Sequence, residues 1–497
     1  MLKKLLDKKI NPLFATVVTF MLIFFVFNDF AIRYIYAYFV LGLILLVGIF
    51  TSGALRRDGK LSMATIFHDL KDRISPIKAA FIIMVLVVTV YSVLPNSNWG
   101  QLVMALTISM LVFTGYLVFM EPSEVGVRRA FTAIRLVAVA FAVYVIAVKL
   151  WPDFYWNYVY PHMSPLTQEV ADEFMPQGYG VPLGGSTTYA DYVISVALTV
   201  NLAQIFIGGG IKNNKQILLL VPTTVLYILA ILLVNRRSEV LAIGAAGLVL
   251  VALHLKARDK ADRILRFKTI IPIIILGSIV FGLFARAGYM NRYTDVLEAI
   301  FPNLDFSVSA PAETTKPAPT EVPETTEAED TEPTEQETES TEAESTEPKP
   351  TASELTSGRT ALWKKAYELF KENPVFGIGW EQFMNNNTYE HEVHNTYLQW
   401  LCETGVIGFI LIMIPLLYMY LTTLFRTVRI RRKGGTLPYG LKEMNFVSLG
   451  MQSFFWALNL IDPSFYHQNF FCFFSFTIIL EDASRRMEKQ FLLGSDS

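Results

Sequence analysis

Residues 217–234 read Ile-Leu-Leu-Leu-Val-Pro-Thr-Thr-Val-Leu-Tyr-Ile-Leu-Ala-Ile-Leu-Leu-Val. This run contains no charged side chain, and a helix of its length nearly spans the ~30 Å hydrocarbon core of a bilayer. A very short connection that contains Arg236 and Arg237 leads directly into a second apolar run at 238–255. Two such runs joined by a short turn predict neighbouring transmembrane helices.

Further apolar runs of similar length occur in much of the 497-residue chain. Hydrophobic residues make up 53% of the chain, charged residues only 17%, and the mean hydropathy is +0.39. Soluble domains carry about 25% charged residues, so this composition excludes an ordinary soluble enzyme. We predict an all-α polytopic membrane protein with about twelve transmembrane helices, near residues 13–31, 34–52, 78–95, 100–119, 134–151, 188–208, 217–234, 238–255, 269–285, 405–425, 445–461 and 468–483.

The distribution of basic residues predicts the orientation of these spans. If the N-terminus is cytoplasmic, the inner segments hold 30 of the 42 Lys and Arg residues, in agreement with the positive-inside rule. We therefore expect both termini to be cytoplasmic and the long connections to be external. The predicted organisation is nine spans in residues 1–285, a large external loop at 286–404, and three spans with a cytoplasmic tail in 405–497.

The external loop contains an acidic insert. Residues 303–357 hold 15 acidic and 2 basic residues, and residues 309–352 repeat Thr, Glu and Pro without any aromatic residue. Such a composition cannot build a core, so we expect a disordered tether. The alternatives are a strip that binds cations or a wall polymer, and an O-glycosylated stalk.

An amphipathic helix is expected to follow at 357–373. Its charged residues lie opposite an apolar stripe, which is typical of a helix at a membrane interface. Arg359 lies on the apolar side, where a guanidinium is costly unless it meets an anion such as a phosphate. The alternative is a side chain that reaches the headgroup level. The stripe consists of Leu362, Trp363, Ala366, Leu369 and Phe370.

Two histidines precede the tenth predicted span, in the segment His391-Glu392-Val393-His394-Asn395. A zinc-protease motif needs histidines at i and i+4, and these are at i and i+3. A metal site formed by His391, His394 and Glu390 is one alternative to a catalytic histidine. A structural histidine that caps the following helix is another.

Arg236 and Arg237 oppose the charge bias, because their connection is expected on the outer face. Arginine binds phosphate oxygens in a planar, bidentate manner, so the pair indicates an anionic ligand. An ion pair with Glu239 is the alternative. Further candidates on the outer side are Tyr189, Asp191, Arg286, Arg292, Asp462 and His467.

Five short motifs occur in a fixed order between residues 230 and 425. They are Arg-Arg-Ser at 236–238, Gly-Arg-Thr-x-Leu-Trp at 358–363, Asn-Pro-x-x-Gly-x-Gly at 373–379, His-Asn-x-Tyr-Leu at 394–398 and Glu-x-Gly-x-x-Gly at 403–408. In this order and spacing, the motifs resemble the O-antigen ligase and O-antigen polymerase family.

This resemblance implies a membrane glycosyltransferase that takes glycan from undecaprenyl diphosphate on the outer face of a bacterial cytoplasmic membrane, without a metal or another cofactor. By resemblance, Arg236 or Arg237 and Arg359 would engage the diphosphate. His394 would deprotonate or orient the acceptor hydroxyl, so His394 and Arg359 are the expected catalytic residues. Candidates that would orient or flank His394 are Glu392, Glu390, Asp191 and Asn395.

The activity that we expect is the inverting polymerisation of lipid-linked oligosaccharide repeat units into a surface polysaccharide such as a capsule. An O-antigen-type ligase or a protein O-oligosaccharyltransferase is the near alternative. A flippase or transporter for lipid-linked glycan is the alternative from a different class. The expected partners are the lipid-linked oligosaccharide, the bilayer and other proteins of surface-polysaccharide assembly, and no nucleic acid.

Overall fold

The computed structural model describes residues 56–57, 60–61, 74–94, 124–176, 180–183, 187, 189–207, 214–234, 236–254, 260–286, 359–387, 391–432, 437–466 and 468–495. These residues are almost entirely helical. The exception is a two-stranded antiparallel pair in which β1, Arg56–Arg57, faces β2, Lys60–Leu61. The acidic insert at 309–352 lies outside the described residues.

The longer helices are numbered here in chain order. They are α1 Pro76–Ser92, α2 Glu124–Leu150, α3 Pro165–Phe174, α4 Tyr189–Phe206, α5 Asn214–Val234, α6 Arg237–His254, α7 Lys260–Arg286, α8 Arg359–Glu372, α9 Thr396–Arg432, α10 Tyr439–Leu458 and α11 Gln468–Ser495. Between α2 and α3 the chain forms a single turn at Pro152–Phe154, a π-helix at Tyr155–Val159 and a 3-10 turn at Tyr160–His162.

Within the described ranges, four helices are long and apolar enough to cross a membrane: α2, α5, α7 and α9. The shorter helices α1 and α4 are also apolar. The chain is therefore an integral membrane protein. Helices occupy nine of the twelve predicted span positions among the described residues, and the positions 13–31, 34–52 and 100–119 lie outside them. The number of spans stays a prediction.

Helix α4 forms the centre of the bundle. It packs against α2, α5, α6 and α10, and its side chains are buried almost all round, as expected for a helix without a polar face. Helix α7, in contrast to α4, lies at the periphery of the described bundle. It packs mainly on α5 and exposes apolar side chains such as Ile274 and Leu283, a surface that suits contact with lipid tails.

Buried ion pairs stabilise the end of the bundle that is opposite to Thr396. Arg426 lies there, about 45 Å along α9 from Thr396. Arg426 of α9 contacts Glu481 at 3.2 Å and Glu488 at 3.0 Å, and Lys78 of α1 contacts Asp482 at 3.0 Å. Breaking such a buried pair is strongly destabilising, because it leaves an uncompensated charge. These pairs therefore tie α1, α9 and α11 together.

Helix α8 corrects one sequence-based expectation. Its apolar stripe packs against protein and not against lipid, because other parts of the chain cover it. The covering side chains come from the following loop and from α9, so that α8 belongs to the body of the protein. The cluster consists of Leu362, Ala366, Leu369, Phe383, Val393 and Cys402, with Trp363, Ile378 and Leu398 at its edge.

Helix α9 begins at Thr396, nine residues before the predicted start of the tenth span, and it is kinked at Gly405. The kink frees carbonyl groups from the helix, and the loop at 374–379 uses them. Ile378 N donates to the Cys402 carbonyl at 3.1 Å and Gly379 N to the Glu403 carbonyl at 3.0 Å. Val406 N donates to the Pro374 carbonyl at 2.9 Å. The loop therefore replaces the missing hydrogen bonds of the helix.

Two glycines permit this contact between the loop and the kink. Gly377 has a φ of 74° and Gly405 a φ of 64°, in the left-handed region that favours glycine. A Cβ atom at Gly377 would lie 2.3 Å from the Glu403 carbonyl, and one at Gly405 would lie 2.4 Å from the Val375 carbonyl. The glycines of two of the sequence motifs thus meet each other in space.

Candidate active site

Arg236 lies between α5 and α6 among three carboxylates. Its guanidinium is 3.5 Å from Asp191 of α4, 3.9 Å from Glu239 of α6 and 3.9 Å from Asp462, which lies between α10 and α11. It also donates a hydrogen bond to the Thr187 hydroxyl. Asp191 and Glu239 are buried, so Arg236 supplies the charge that makes their burial tolerable.

Arg237 has a different environment, although it is the next residue. It begins α6, and its Nε atom is buried without a hydrogen-bond partner among the described residues. No described residue forms an ion pair with it. A buried guanidinium nitrogen without a partner is costly and commonly indicates a ligand or water site.

Arg359, like Arg237, has no ion pair or hydrogen bond among the described residues. It begins α8 and is partly buried. Burial lowers the pKa of Arg359, Asp462 raises it, and Arg236 lowers it further. Arg359 therefore lies in the same electrostatic environment as Arg236 and Asp462, which come from distant parts of the chain.

His394 also belongs to this environment. Burial lowers the pKa of His394 to about 4, Arg359 lowers it as well, and Asp462 opposes the change. Its ring is therefore neutral at pH 7. The backbone is in the left-handed region with a φ of 54°, and Nδ1 is buried without a partner among the described residues. Strained backbone of this kind clusters at functional sites.

Hydrogen bonds hold the His394 turn in place. Trp363 Nε1 of α8 donates to the Val393 carbonyl at 3.0 Å. The Asn395 side chain accepts from Leu398 N at 3.0 Å and so caps α9. Thr396 N donates to the Asn459 carbonyl at 2.9 Å. The turn is therefore fixed to α8, to α9 and to the end of α10, and Asn395, a lower-ranked candidate, has a structural role.

Several carboxyl groups also lie around this turn. Burial, together with the charges of Asp462, Glu381 and Glu403, raises the pKa of Glu392 to about 8. Glu392 is thus protonated at pH 7. Glu403 accepts hydrogen bonds from Tyr466 OH at 2.7 Å and from Gln399 at 3.2 Å, and Tyr466 stacks on Trp380. This network connects α9 to the turn before α11.

The other candidates have different positions. Asp191 contacts Arg236, and no hydrogen bond joins it to His394 among the described residues. Tyr189 is the first residue of α4. Arg286 ends α7 and is exposed, and no described hydrogen bond or ion pair joins it to the site around Arg236. Arg292, Glu390 and His467 lie outside the described residues.

Asp462 is the residue that the sequence ranked too low. It contacts Arg236, accepts a hydrogen bond from Tyr192 OH at 3.2 Å and acts on the pKa of His394. The only sequence signal was an acidic residue between the last two apolar runs. No three His, Cys, Asp or Glu side chains in the described ranges lie close enough together to hold a metal ion.

The arrangement is a polar site at one end of the bundle. It contains two guanidiniums without an ion pair among the described residues, a neutral imidazole, and Asp462, which acts on Arg359 and His394. A comparison with curated proteins found no match. A comparison with protein families found that the model described as O-antigen ligase matches residues 222–413, which include Arg236, Arg237, Arg359 and His394 but neither Asp191 nor Asp462. Over residues 222–413 the chain is therefore similar to the O-antigen ligase family.

Proposed function

We propose that the protein polymerises undecaprenyl-diphosphate-linked oligosaccharide repeat units into a surface polysaccharide on the outer face of the bacterial cytoplasmic membrane. The observation that carries the proposal is the contrast between the arginines. Arg236 is committed to Asp191, Glu239 and Asp462, whereas Arg237 and Arg359 have no ion pair among the described residues. Two free guanidiniums beside a neutral histidine suit a diphosphate leaving group.

In the proposed reaction, an acceptor hydroxyl attacks the anomeric carbon of the lipid-linked glycan. The new bond joins this carbon to the acceptor oxygen, and the bond to the phosphate oxygen breaks. The electron pair leaves with undecaprenyl diphosphate, and the anomeric configuration inverts. Arg237 and Arg359 would stabilise the charge that develops on the diphosphate, which requires no metal ion.

His394 would accept the proton of the attacking hydroxyl. A general base must be unprotonated before the reaction, and the pKa of about 4 keeps the imidazole neutral at pH 7. An arriving diphosphate adds negative charge to the site, which raises the pKa of the ring and makes it a stronger base. Asp462 would stabilise the imidazolium ion that forms.

The outer location rests on the charge distribution. With the N-terminus cytoplasmic, the connections that contain Arg237, Arg359 and His394 are all external, and basic residues accumulate in the opposite connections. Polyprenyl-linked repeat units that have crossed the membrane would reach such a site laterally from the bilayer. Cysteine labelling of Lys364→Cys with a membrane-impermeant maleimide in intact spheroplasts tests this side: labelling is expected, and its absence would contradict the orientation.

The glycan that accumulates in a deletion strain separates a polymerase from a ligase. Loss of a polymerase leaves short lipid-linked repeat units, and this is the expected result. Full-length polymer that remains attached to its lipid carrier would instead indicate a ligase. The purified protein should also remain active in the presence of a chelator, and loss of activity that added divalent cation restores would contradict the metal-independent mechanism.

A further inference from the structure

A polar cleft lies on the charged face of α8, opposite the apolar stripe of this helix. It has a volume of about 640 Å³, within the range of small-molecule binding sites. One wall is the charged face of α8 and the other is the loop around the 3-10 turn Met384–Asn386. The polar side chains that line it are Lys364, Lys365, Glu368, Asn385, Asn386 and Asn387. Most ligand sites are apolar, so this lining indicates a polar ligand.

The two walls offer complementary hydrogen-bonding groups. Asn386 Nδ2 donates to the Gln382 carbonyl and Asn387 Nδ2 to the Phe383 carbonyl, each at 2.7 Å. These bonds orient the two side chains, and the amide oxygen of Asn386 remains an acceptor. Lys364 and Lys365 have no ion pair among the described residues, so their ammonium groups remain donors. A polyhydroxylated molecule matches such a surface.

The cleft is adjacent to the candidate active site but separate from it. Lys364 and Glu368 follow Arg359 on α8 by five and nine residues, which corresponds to about 8–14 Å along the helix axis. The loop on the other wall is joined to the His394 segment, because Asn387 Nδ2 donates to the His391 carbonyl at 3.2 Å. A chain of sugars that starts at the active site can therefore reach the cleft.

We propose that this cleft binds an oligosaccharide segment a few sugar residues away from the reacting unit, with a preference for acidic sugars. The lysine pair supplies two positive charges against the one carboxylate of Glu368, which favours uronate groups. A role of the cleft in chain extension rests on the proposed function, since such a role requires that the glycan in the cleft is the one being extended. The binding of glycan does not depend on that assumption.

Binding of lipid-free hexasaccharides to the purified full-length protein tests the site. The detergent should be an amine oxide, because maltoside headgroups are themselves glycans. Calorimetric titration should show that hexagalacturonate binds more tightly than maltohexaose. The double variant Lys364→Ala/Lys365→Ala should weaken binding of hexagalacturonate roughly tenfold or more, and Glu368→Gln should strengthen it.

Lys371→Ala is the matched control, because Lys371 lies over the Tyr367 ring on the same helix and does not line the cleft. It should bind hexagalacturonate as the wild type does. Tighter binding of maltohexaose would overturn the preference for acidic sugars. Absence of binding by both hexasaccharides, or equal binding by the double variant and the wild type, would overturn the site.

A transfer assay separates this proposal from the proposed function. The double lysine variant should still join two single lipid-linked repeat units, but it should produce shorter chains than the wild type. Wild-type chain lengths in the variant would contradict the cleft proposal and leave the proposed function intact. Absence of transfer by the wild-type protein would contradict the proposed function, and the hexasaccharide titration would still decide whether the cleft binds glycan.

Discussion

Trp363 Nε1 donates a hydrogen bond of 3.0 Å to the backbone carbonyl of Val393. This bond joins α8, which begins with Arg359, to the turn that ends at His394. The two side chains that we assign to the leaving group and to the acceptor are therefore held by one connected unit. Their relative position depends on this bond and on the apolar cluster beneath it.

The first prediction concerns this bond. Trp363→Phe keeps most of the ring and removes the N–H donor, so it should cost only about 1 kcal/mol in the free energy of unfolding. Transfer should nevertheless fall about 10- to 100-fold, because small errors in position have large effects on rate. The measurement is the initial rate of glycan transfer. Trp151→Phe, at an exposed residue, is the control, and an unchanged rate in Trp363→Phe would contradict the coupling.

The second prediction separates the two adjacent arginines. Arg236→Ala removes the ion-pair partner of the buried Asp191 and Glu239, which should cost about 3–5 kcal/mol and lower the melting temperature in detergent. Arg237→Ala should leave the melting temperature unchanged and reduce transfer about 100- to 1,000-fold. Scanning fluorimetry and transfer assays on both variants provide the comparison. A stable, inactive Arg236→Ala protein beside a fully active Arg237→Ala protein would reverse the assignment.

The third prediction concerns the glycines at the kink of α9. Gly377→Ala and Gly405→Ala place a Cβ atom against backbone of the partner segment, which cannot move aside easily. Both variants should therefore fold poorly, and any folded fraction should be inactive. The yield of monodisperse protein in size-exclusion chromatography measures this effect. Gly282→Ala is the control, since a Cβ atom there meets nothing within 4 Å, and normal yields for all three would contradict the close contact.

The fourth prediction is the pH dependence of transfer. With the pKa of His394 near 4, the free enzyme holds the neutral base above about pH 5, so kcat/KM should show no break near pH 6.5. With the pKa of Glu392 near 8, this carboxyl becomes negative above pH 8 and should disfavour the anionic donor. The rate should therefore fall at alkaline pH.

Glu392→Gln tests the alkaline part of this profile, because glutamine stays neutral. The variant should retain its kcat/KM above pH 8, where the wild type loses it. Two results would contradict this account: an acidic limb centred near pH 6.5, or an alkaline limb that Glu392→Gln leaves in place.

The sequence predicted the positions of the described helices well, because an apolar run of membrane-spanning length has few other uses. It predicted α8 from its periodicity but assigned the stripe to the membrane interface. Periodicity shows that a face is apolar and does not show what covers it. The covering residues Phe383, Val393 and Cys402 are contributed by segments whose folding depends on the kink at Gly405.

The sequence also indicated the arginines and His394 but could not separate Arg236 from Arg237. The difference depends on Asp191 and Asp462, which lie 45 residues before and 226 residues after Arg236 and meet it only in the folded bundle. Asp462 occurs in none of the five motifs, which explains its low rank. Contacts of this sequence separation leave no local pattern to find.

The most direct test of the central claim is the formation of a glycosidic bond by the purified full-length protein in detergent, supplied with undecaprenyl-diphosphate-linked oligosaccharide. We predict that the wild type lengthens the glycan and releases undecaprenyl diphosphate, and that Arg359→Ala and His394→Ala, folded as shown by unchanged melting temperatures, lose about 100-fold or more of this activity. Absence of any new glycosidic bond with the wild type, or full activity in either variant, would contradict the account.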